Sequence, residues 1–140
     1  MPITSTLING GTGLLLVGEG IVSGPELVAG VYTARQLVLS SRMATFGLID
    51  FTRISALNVS ANEIKIIVEA DKVAAMRIPK FALAVAAPRD VAYGLSRMYE
   101  LYLNTPGWSV AVFRTMDEAW AWLESEVPGA GAGAAESSSG

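Results

Sequence analysis

The chain has 140 residues, which is the length of one domain. It is 51% hydrophobic and only 16% charged, against a usual charged share of about 25%, so intrinsic disorder is excluded. The formal net charge is −3 and no Lys/Arg cluster is visible, so nucleic acid is not expected as a partner. Histidine and cysteine are both absent, which excludes Ser-His-Asp and Cys-His triads, disulfides and the usual zinc sites.

The apolar runs are too short for a membrane span, which needs roughly 20 mostly apolar residues. The run Leu14–Val17 ends at Gly18, and the run Phe81–Ala87 ends at Pro88. A secretory signal needs a positively charged start and a longer apolar stretch, whereas the segment Met1–Gly18 has no Lys or Arg and is broken by Asn9–Gly13. We therefore expect a cytoplasmic protein that does not insert into a membrane.

The N-terminal part of the sequence predicts a hairpin followed by a helix. The strands Thr6–Ile8 and Leu14–Val22 flank the turn dipeptide Asn9-Gly10. Ser23 then begins a capping box, and the apolar spacing predicts a helix over 24–41.

The rest of the chain alternates predicted strands with predicted helices. In order, these are a strand at 44–51, a polar loop from Thr52 to Asn58, a helix after Ser60, a buried strand at 81–87, a helix after Pro88, a strand at 108–113 and a helix after Thr115. The order ββαβαβαβα predicts an α/β fold with a mixed, mostly parallel sheet of about five strands flanked by helices. Residues 1–126 are expected to form a single domain, and 127–140 a flexible Gly/Ala/Ser-rich tail without structure of its own.

In open α/β sheets, ligands gather at the carboxyl ends of the strands. The predicted residues of this edge that we take as candidates for binding a partner or an anion are Asp50, Thr52, Arg53, Ser60 and Arg89. A wider set at the same edge adds Ser23, Ser55, Asp90, Arg114 and Thr115. Helix capping by Ser60, a side-chain turn at Asp50 and simple solvation of the arginines are the structural alternatives. No catalytic residue, metal site or cofactor is expected.

Aromatic residues predict a surface for self-association. Tyr93, Tyr99 and Tyr102 of one predicted helix cannot all face inward. Together with Val28 and Tyr32 they indicate an apolar patch that a second chain could cover, which makes a homodimer a candidate assembly.

Three segments resemble bacterial SpoIIAA-like proteins of the STAS-like group. They are Leu48–Phe51, Pro88–Glu100 and Val112–Leu123, and the likeness extends over roughly Thr6 to Glu124. The resemblance implies a four- or five-stranded sheet flanked by helices and, usually, no catalysis. STAS domains act as protein-interaction switches, among them anti-anti-sigma factors that bind a kinase-like anti-sigma factor.

The resemblance also points to a phosphorylation site. Anti-anti-sigma factors carry the phosphoacceptor in an Asp-Ser-Ser-Gly stretch just before the helix that follows the third strand. Here that stretch is Asn58-Val59-Ser60-Ala61, so the usual acceptor position is a valine and only Ser60 offers a hydroxyl. Ser60 is therefore the candidate phosphoacceptor, and the departure argues against ordinary kinase switching.

The sequence leaves two main hypotheses for function. The first is a non-enzymatic STAS-like regulatory or scaffolding module that contacts an unidentified protein through the 52–60 segment, the helix start after it and the flank with Val28 and Tyr32. The alternative is a carrier of a small molecule or lipid in an apolar cavity, favoured by the high hydrophobicity and by a topology shared with CRAL-TRIO folds. An enzyme is the third reading, which the missing acid/base groups disfavour.

Overall fold

A computed structural model describes residues 2–138 of the chain. It contains five strands, which are β1 Ile3–Ile8, β2 Gly13–Ser23, β3 Phe46–Asn58, β4 Phe81–Ala86 and β5 Trp108–Phe113. It contains five α-helices, which are α1 Gly24–Ser41, α2 Ala61–Ala75, α3 Asp90–Leu103, α4 Met116–Glu126 and α5 Gly133–Ser138. Single 3-10 turns at Asn9–Gly11 and Ala130–Ala132 complete the described part.

The strands form one sheet in the order β1-β2-β3-β4-β5. The β1–β2 pair is antiparallel, and all the other neighbouring pairs are parallel. The hairpin turn between β1 and β2 has positive φ angles at Asn9, Gly10 and Gly11, which explains the Asn-Gly-Gly sequence there. The predicted mixed, mostly parallel α/β sheet flanked by helices is confirmed.

Both faces of the central strand β4 are buried, as its unbroken apolar run predicts. Phe81, Leu83 and Val85 face a core shared with α1, α2 and α3. The small side chains of Ala82, Ala84 and Ala86 face a second core shared with α4. Helices therefore cover the two faces of the sheet, and alanines let α4 approach it closely.

Local sequence signals explain where the helices begin. Ser23, Ser60 and Thr115 each accept a hydrogen bond from the backbone N–H three residues later, at the starts of α1, α2 and α4. Such caps satisfy N–H groups that have no partner within the helix. The α1 helix covers 24–41, as the apolar spacing predicts.

The expected polar loop from Thr52 to Asn58 is wrong, because these residues continue β3 as far as Asn58. Ile54 and Leu57 are buried within the segment, whereas its polar side chains are exposed, namely Thr52, Arg53, Ser55 and Asn58. These polar residues made the segment look like a loop. In α2, the apolar spacing of Ile64, Ile67, Val68 and Val73 predicts that all four point inward, and this is wrong for Val73, which is largely exposed.

The segment expected to lack structure contains a 3-10 turn and the short helix α5. Ala130 is buried, and the backbone N–H groups of Gly129 and Gly131 donate to the Glu124 carboxylate at 2.6 and 3.1 Å. The expectation of no secondary structure is therefore wrong for residues 130–138. This secondary structure contacts Glu124 of α4, and the Gly/Ala composition does not predict it. The flexibility of the segment stays a prediction.

Candidate functional site

The carboxyl edge of the sheet is extended by two long strands. β4 pairs with β3 only from Phe46 to Asp50, whereas β2 and β3 remain paired as far as Ser23 and Asn58. Residues 18–23 of β2 and 51–58 of β3 thus form a ribbon that extends beyond β4 and β5, and only Gly18 and Glu19 at its start are also paired, with Ile3 and Pro2. Two register shifts interrupt it, and Gly20 adopts a positive φ of 66° beside one of them.

Asp50 fixes the backbone at the start of the β3 half of the ribbon. Its carboxylate is buried and accepts hydrogen bonds from the backbone N–H of Thr52 at 2.8 Å and from the Thr52 hydroxyl at 2.6 Å. The same carboxylate oxygen receives both bonds. This arrangement matches the side-chain turn named as the structural alternative for Asp50, within a strand instead of a loop.

The ribbon exposes an ion pair and one large apolar side chain. Arg53 Nη1 lies 3.4 Å from Glu19 Oε1 across the two strands, and both side chains are about half exposed. Ile21 is 65% exposed, whereas Val22 beside it is fully buried. Ile21 is absent from the sequence-based candidates, although the strand alternation with Val22 is a signal that could have found it.

Arg89 joins the ribbon to α3. Its Nε donates to the backbone carbonyl of Ile54 at 3.1 Å, while the rest of the residue is exposed at the N-cap position of α3. The β3 backbone here has no β4 residue beside it, since β4 ends at Ala86. Arg89 therefore supplies a donor to the ribbon carbonyl where the sheet does not.

Ser60 takes part in a complete capping box at the start of α2. Its hydroxyl accepts from the N–H of Glu63 at 3.2 Å and lies 2.9 Å from Glu63 Oε1, which also accepts from the Ser60 N–H at 2.8 Å. The Glu63 carboxylate lies against Gly24, where a Cβ would collide with it. The first turns of α1 and α2 are therefore side by side at this edge.

Arg114, at the end of β5, is the centre of another set of contacts at the carboxyl edge. Its Nη1 donates to Asp90 Oδ1 at 2.8 Å and to the Pro88 carbonyl at 3.0 Å, and its guanidinium lies 3.9 Å from the centre of the Tyr93 ring. The wider carboxyl-edge set contains both Asp90 and Arg114, and the structure does bring them together. Their contacts fasten the start of α3 to β5.

The predicted site residues therefore divide into two groups. Asp50, Thr52, Arg53 and Arg89 all contact the ribbon or belong to it. Ser60 lies two residues beyond its end, and within residues 2–138 no hydrogen bond or ion pair joins it to the other four. The exposed members of the set, Thr52, Arg53, Ser60 and Arg89, thus form an extended surface, whereas Asp50 is buried.

The residues expected to support self-association lie on different helices. Tyr32 is 58% exposed on α1 and Val28 is half-buried. Tyr99 is buried, so its expected place in a surface patch is wrong. α2 lies between α1 and α3, which separates Tyr32 from the exposed Tyr102.

A buried polar cluster that the sequence analysis did not identify lies between α1, α2 and α3. Asp71 accepts hydrogen bonds from Arg35 Nε at 2.8 Å and from the Tyr99 hydroxyl at 2.7 Å. Burial raises the pKa of the Asp71 carboxyl despite the opposing effects of Arg35 and Tyr99. Burial, with the Asp71 carboxylate beside it, raises the pKa of Tyr99 well above its ordinary value.

This cluster forms part of the wall of an otherwise apolar cavity of about 90 Å³ between the sheet and the three helices. The other lining residues are mainly aliphatic and aromatic, and include Leu16, Ala34, Ile67, Leu83 and Trp108. All buried side-chain N and O atoms in the described part of the chain have a hydrogen-bond partner. The cavity thus offers apolar contacts and no unpaired polar side chain.

Neither a cluster of three metal-ligating side chains nor a helix suited to crossing a bilayer occurs within the described residues. No family model matches the sequence, and no curated protein matches it.

Solved structures give a clearer comparison. The anti-sigma factor antagonist SpoIIAA in its unphosphorylated form superposes with a TM-score of 0.54 at 11% identity, over 87% of this chain and 97% of that one. A DUF3478-family protein with a SpoIIAA-like fold from Shewanella loihica PV-4 gives a TM-score of 0.48 at 18% identity, over 86% of this chain and 91% of that one. The first likeness extends over nearly the whole domain and confirms the resemblance at the level of fold. The chain therefore has the SpoIIAA-like, STAS-type α/β fold.

Proposed function

We propose that the chain is a non-enzymatic regulatory or scaffolding module that acts through contact with a protein partner. The observation that carries the proposal is the exposed side chain of Ile21 on the ribbon, two residues beyond the Glu19–Arg53 ion pair. An apolar anchor with charged neighbours is the usual composition of a protein contact surface. The start of α2, with Ser60, extends this surface along the same edge.

The use of polar groups in the fold supports a non-enzymatic role. Asp50, Asp71 and Ser96 are buried, and each is hydrogen-bonded to neighbouring groups of the fold. Asp50 is engaged by Thr52, and Asp71 by Arg35 and Tyr99. A general base must instead be able to reach a substrate proton.

Phosphorylation of Ser60 is part of the proposal, and the capping box sets its physical conditions. The N-terminus of α2 favours an added phosphate, because helix N–H groups and the macrodipole attract anions. The Glu63 carboxylate, 2.9 Å from the Ser60 hydroxyl, repels it. A phosphoryl group on Ser60 must therefore displace Glu63 from the box and alter the surface beside Gly24.

A quantitative affinity-capture experiment tests the protein-contact role. Immobilised wild type is compared with Ile21→Ser and with Ile66→Ser, which removes a similarly exposed isoleucine from α2. A protein bound through the ribbon should be retained by wild type and Ile66→Ser, and reduced at least about tenfold with Ile21→Ser, as for a contact hot spot. If every captured protein is insensitive to Ile21, the ribbon is not the contact surface.

The apolar cavity favours a carrier as the second candidate function. Its volume of about 90 Å³ is far below the roughly 300–1,000 Å³ of ordinary ligand pockets. It has room for a small apolar molecule, whereas a lipid chain requires α1, α2 or α3 to move outward. Native mass spectrometry of freshly purified protein tests this function, because a carrier shows added mass that is lost under denaturing conditions. A bare mass supports the protein-contact role.

A further inference from the structure

The basic side chains of this chain fall into two groups. Most of its ten lysines and arginines have a partner within the fold. These are Arg35 with Asp71, Arg53 with Glu19, Lys72 with Glu69, Arg97 with Glu100, Arg114 with Asp90, Arg89 with the Ile54 carbonyl and Lys65 with the Tyr102 ring. Arg42, Arg77 and Lys80 have neither an ion pair nor a side-chain hydrogen bond to any residue that the structure describes.

These three cations line the same cleft. It lies at the amino edge of the sheet, between the end of α1 and the segment that leads into β4, and its volume is about 440 Å³. The remaining wall is formed by uncharged residues, namely Val38, Leu39, Ala44, Thr45, Ile78 and Pro79. No Asp or Glu lines the cleft, although the chain has more acidic than basic residues. The volume is within the usual range for small-molecule sites, roughly 300–1,000 Å³.

Helix ends do not account for this concentration of positive charge. α1 ends with Arg42 as its C-cap, and α2 ends with Met76 beside Arg77, so the C-terminal carbonyls of both helices are near the cleft. Each helix C-terminus is equivalent to about half a negative charge. Two helix ends therefore offset about one of the three cations, which leaves a net charge of about +2.

We propose that this cleft binds a small ligand through a phosphate group. A phosphate monoester carries about −1.5 to −2 charges at neutral pH, which matches the excess of positive charge in the cleft. The two guanidinium groups suit phosphate because their N–H groups can bind two oxygens at once. Leu39 and Ile78 in the wall offer apolar contact to the remainder of the ligand. The inference goes beyond the proposed function, since the cleft and the ribbon are at opposite edges of the sheet.

Titration with inorganic pyrophosphate at constant ionic strength, followed by NMR chemical shifts and calorimetry, tests the site. We expect saturable binding with shifts centred on the backbone of 42–45 and 77–80. Removing one cation, as in Arg42→Gln, Arg77→Gln or Lys80→Gln, should weaken binding about two- to fivefold, the range for solvent-exposed charge pairs. The triple variant should bind at least about tenfold more weakly.

A matched triple variant controls for net charge. Lys65→Gln/Lys72→Gln/Arg97→Gln removes the same charge from exposed parts of α2 and α3 outside the cleft, and should bind pyrophosphate with unchanged affinity. Equal weakening in both triple variants, or shifts that do not saturate, would overturn the proposal. The control variant loses the exposed contacts of Lys65, Lys72 and Arg97, each worth at most about 1 kcal/mol, and the cleft variant loses none, so both should remain folded, as urea unfolding checks.

A vesicle-binding assay distinguishes a lipid headgroup from a soluble phosphorylated ligand. Vesicles of phosphatidylcholine with 20% phosphatidic acid, chosen as the probe, are compared with pure phosphatidylcholine in a sedimentation assay. Binding to the acidic vesicles that is lost with Arg42→Gln/Arg77→Gln/Lys80→Gln indicates a lipid headgroup. Pyrophosphate binding without vesicle binding indicates a soluble phosphorylated ligand. Vesicle binding that survives the triple variant, without pyrophosphate binding, would contradict a phosphate site in the cleft.

Discussion

The buried Asp71 carboxylate depends on the two side chains that donate to it. Taking a charge out of water costs several kcal/mol even in real proteins, and only close partners offset this cost. Arg35 supplies the opposite charge at 2.8 Å and Tyr99 a hydrogen bond at 2.7 Å. The raised pKa of Asp71 shows that burial still outweighs both contacts.

Arg35→Met should therefore lower the free energy of unfolding by about 3–5 kcal/mol, because Asp71 is left buried without a counter-charge. Urea unfolding followed by circular dichroism measures the change. The triple variant Arg35→Met/Asp71→Leu/Tyr99→Phe removes every polar member and should regain most of the loss. A triple variant as unstable as the single one would show that the cluster itself stabilises the fold.

Tyr99→Phe tests the hydrogen bond of the same cluster. At pH 7 we expect a loss of about 1.5–3 kcal/mol, the range for a bond to a charged acceptor. Above pH 10 the unfolded chain ionises its tyrosine while folded Tyr99 stays protonated, because its folded pKa is raised. The free energy of unfolding of the wild type should then fall with rising pH relative to that of Tyr99→Phe. The difference between the two free energies should therefore become smaller.

Tyr102→Phe is the matched control for the alkaline effect, since it removes a partly exposed tyrosine from the same helix. Because this variant keeps Tyr99, the fall in unfolding free energy that Tyr99 causes above pH 10 should persist in it. Unfolding free energies measured from pH 8 to 11 give both comparisons. A gap between wild type and Tyr99→Phe that stays constant over this range would exclude an effect of Tyr99 ionisation on folding.

Some of this cluster could be predicted from sequence and some could not. Asp71 follows Ile64 and Ile67 on one helical stripe, so periodicity alone places it inward. Its partner Arg35 belongs to another helix, and sequence spacing does not indicate which charges meet between elements. The same limit applies to Asp50, whose position at the carboxyl edge was predictable although its bond to Thr52 within a strand was not.

At the scale of single elements, variants of Ser60 can distinguish a structural role in capping α2 from a regulatory role. Ser60→Ala removes the acceptor for the Glu63 N–H and should cost about 1 kcal/mol by urea unfolding. Ser60→Asp keeps a capping oxygen and adds a negative charge that the helix N-terminus favours, but its carboxylate repels Glu63, so its stability should lie between those of Ser60→Ala and wild type.

Partner binding by the same two variants distinguishes a capping role of Ser60 from a phosphorylation switch. If capping is the whole role of Ser60, partner retention in the affinity-capture assay should be equal in both variants once each is folded. If Ser60 is a phosphorylation switch, Ser60→Asp should lose the partner while Ser60→Ala keeps it. The reverse pattern would contradict both readings.

The elements themselves show which signals are reliable in this sequence. The capping box at Ser23 and the cap residue Ser60 predicted two helix starts, because the chemistry of a cap involves residues only three positions apart. The end of β3 was not predictable in the same way, since residues 51–58 pair with β2 far away in sequence. Strand length there is set by tertiary pairing, which local polarity obscured.

At the scale of the whole molecule, the fold separates three possible sites. The ribbon is at the carboxyl edge, the basic cleft is at the amino edge, and the apolar cavity lies between the sheet and α1, α2 and α3. The carboxyl-edge rule predicts only the first of these. The basic cleft depends on residues that follow two helices, and only the fold brings Arg42 beside Arg77 and Lys80.

The C-terminal segment packs against the face of the sheet that α4 covers, and a truncated variant tests what this contact contributes. Ala130 is fully buried, and a Cβ at Gly133 would lie 2.8 Å from the Trp120 ring and 2.9 Å from Ile8, so this backbone packs directly on the core under α4. A variant ending at Val127 should uncover Trp120 and lose about 1–2 kcal/mol of stability, the scale of partly exposing one large apolar side chain. Urea unfolding and acrylamide quenching of tryptophan fluorescence measure both effects, and Trp120→Phe assigns the quenching to that ring. Unchanged stability and unchanged quenching would mean that 128–140 adds nothing to the fold, as expected of a flexible tail.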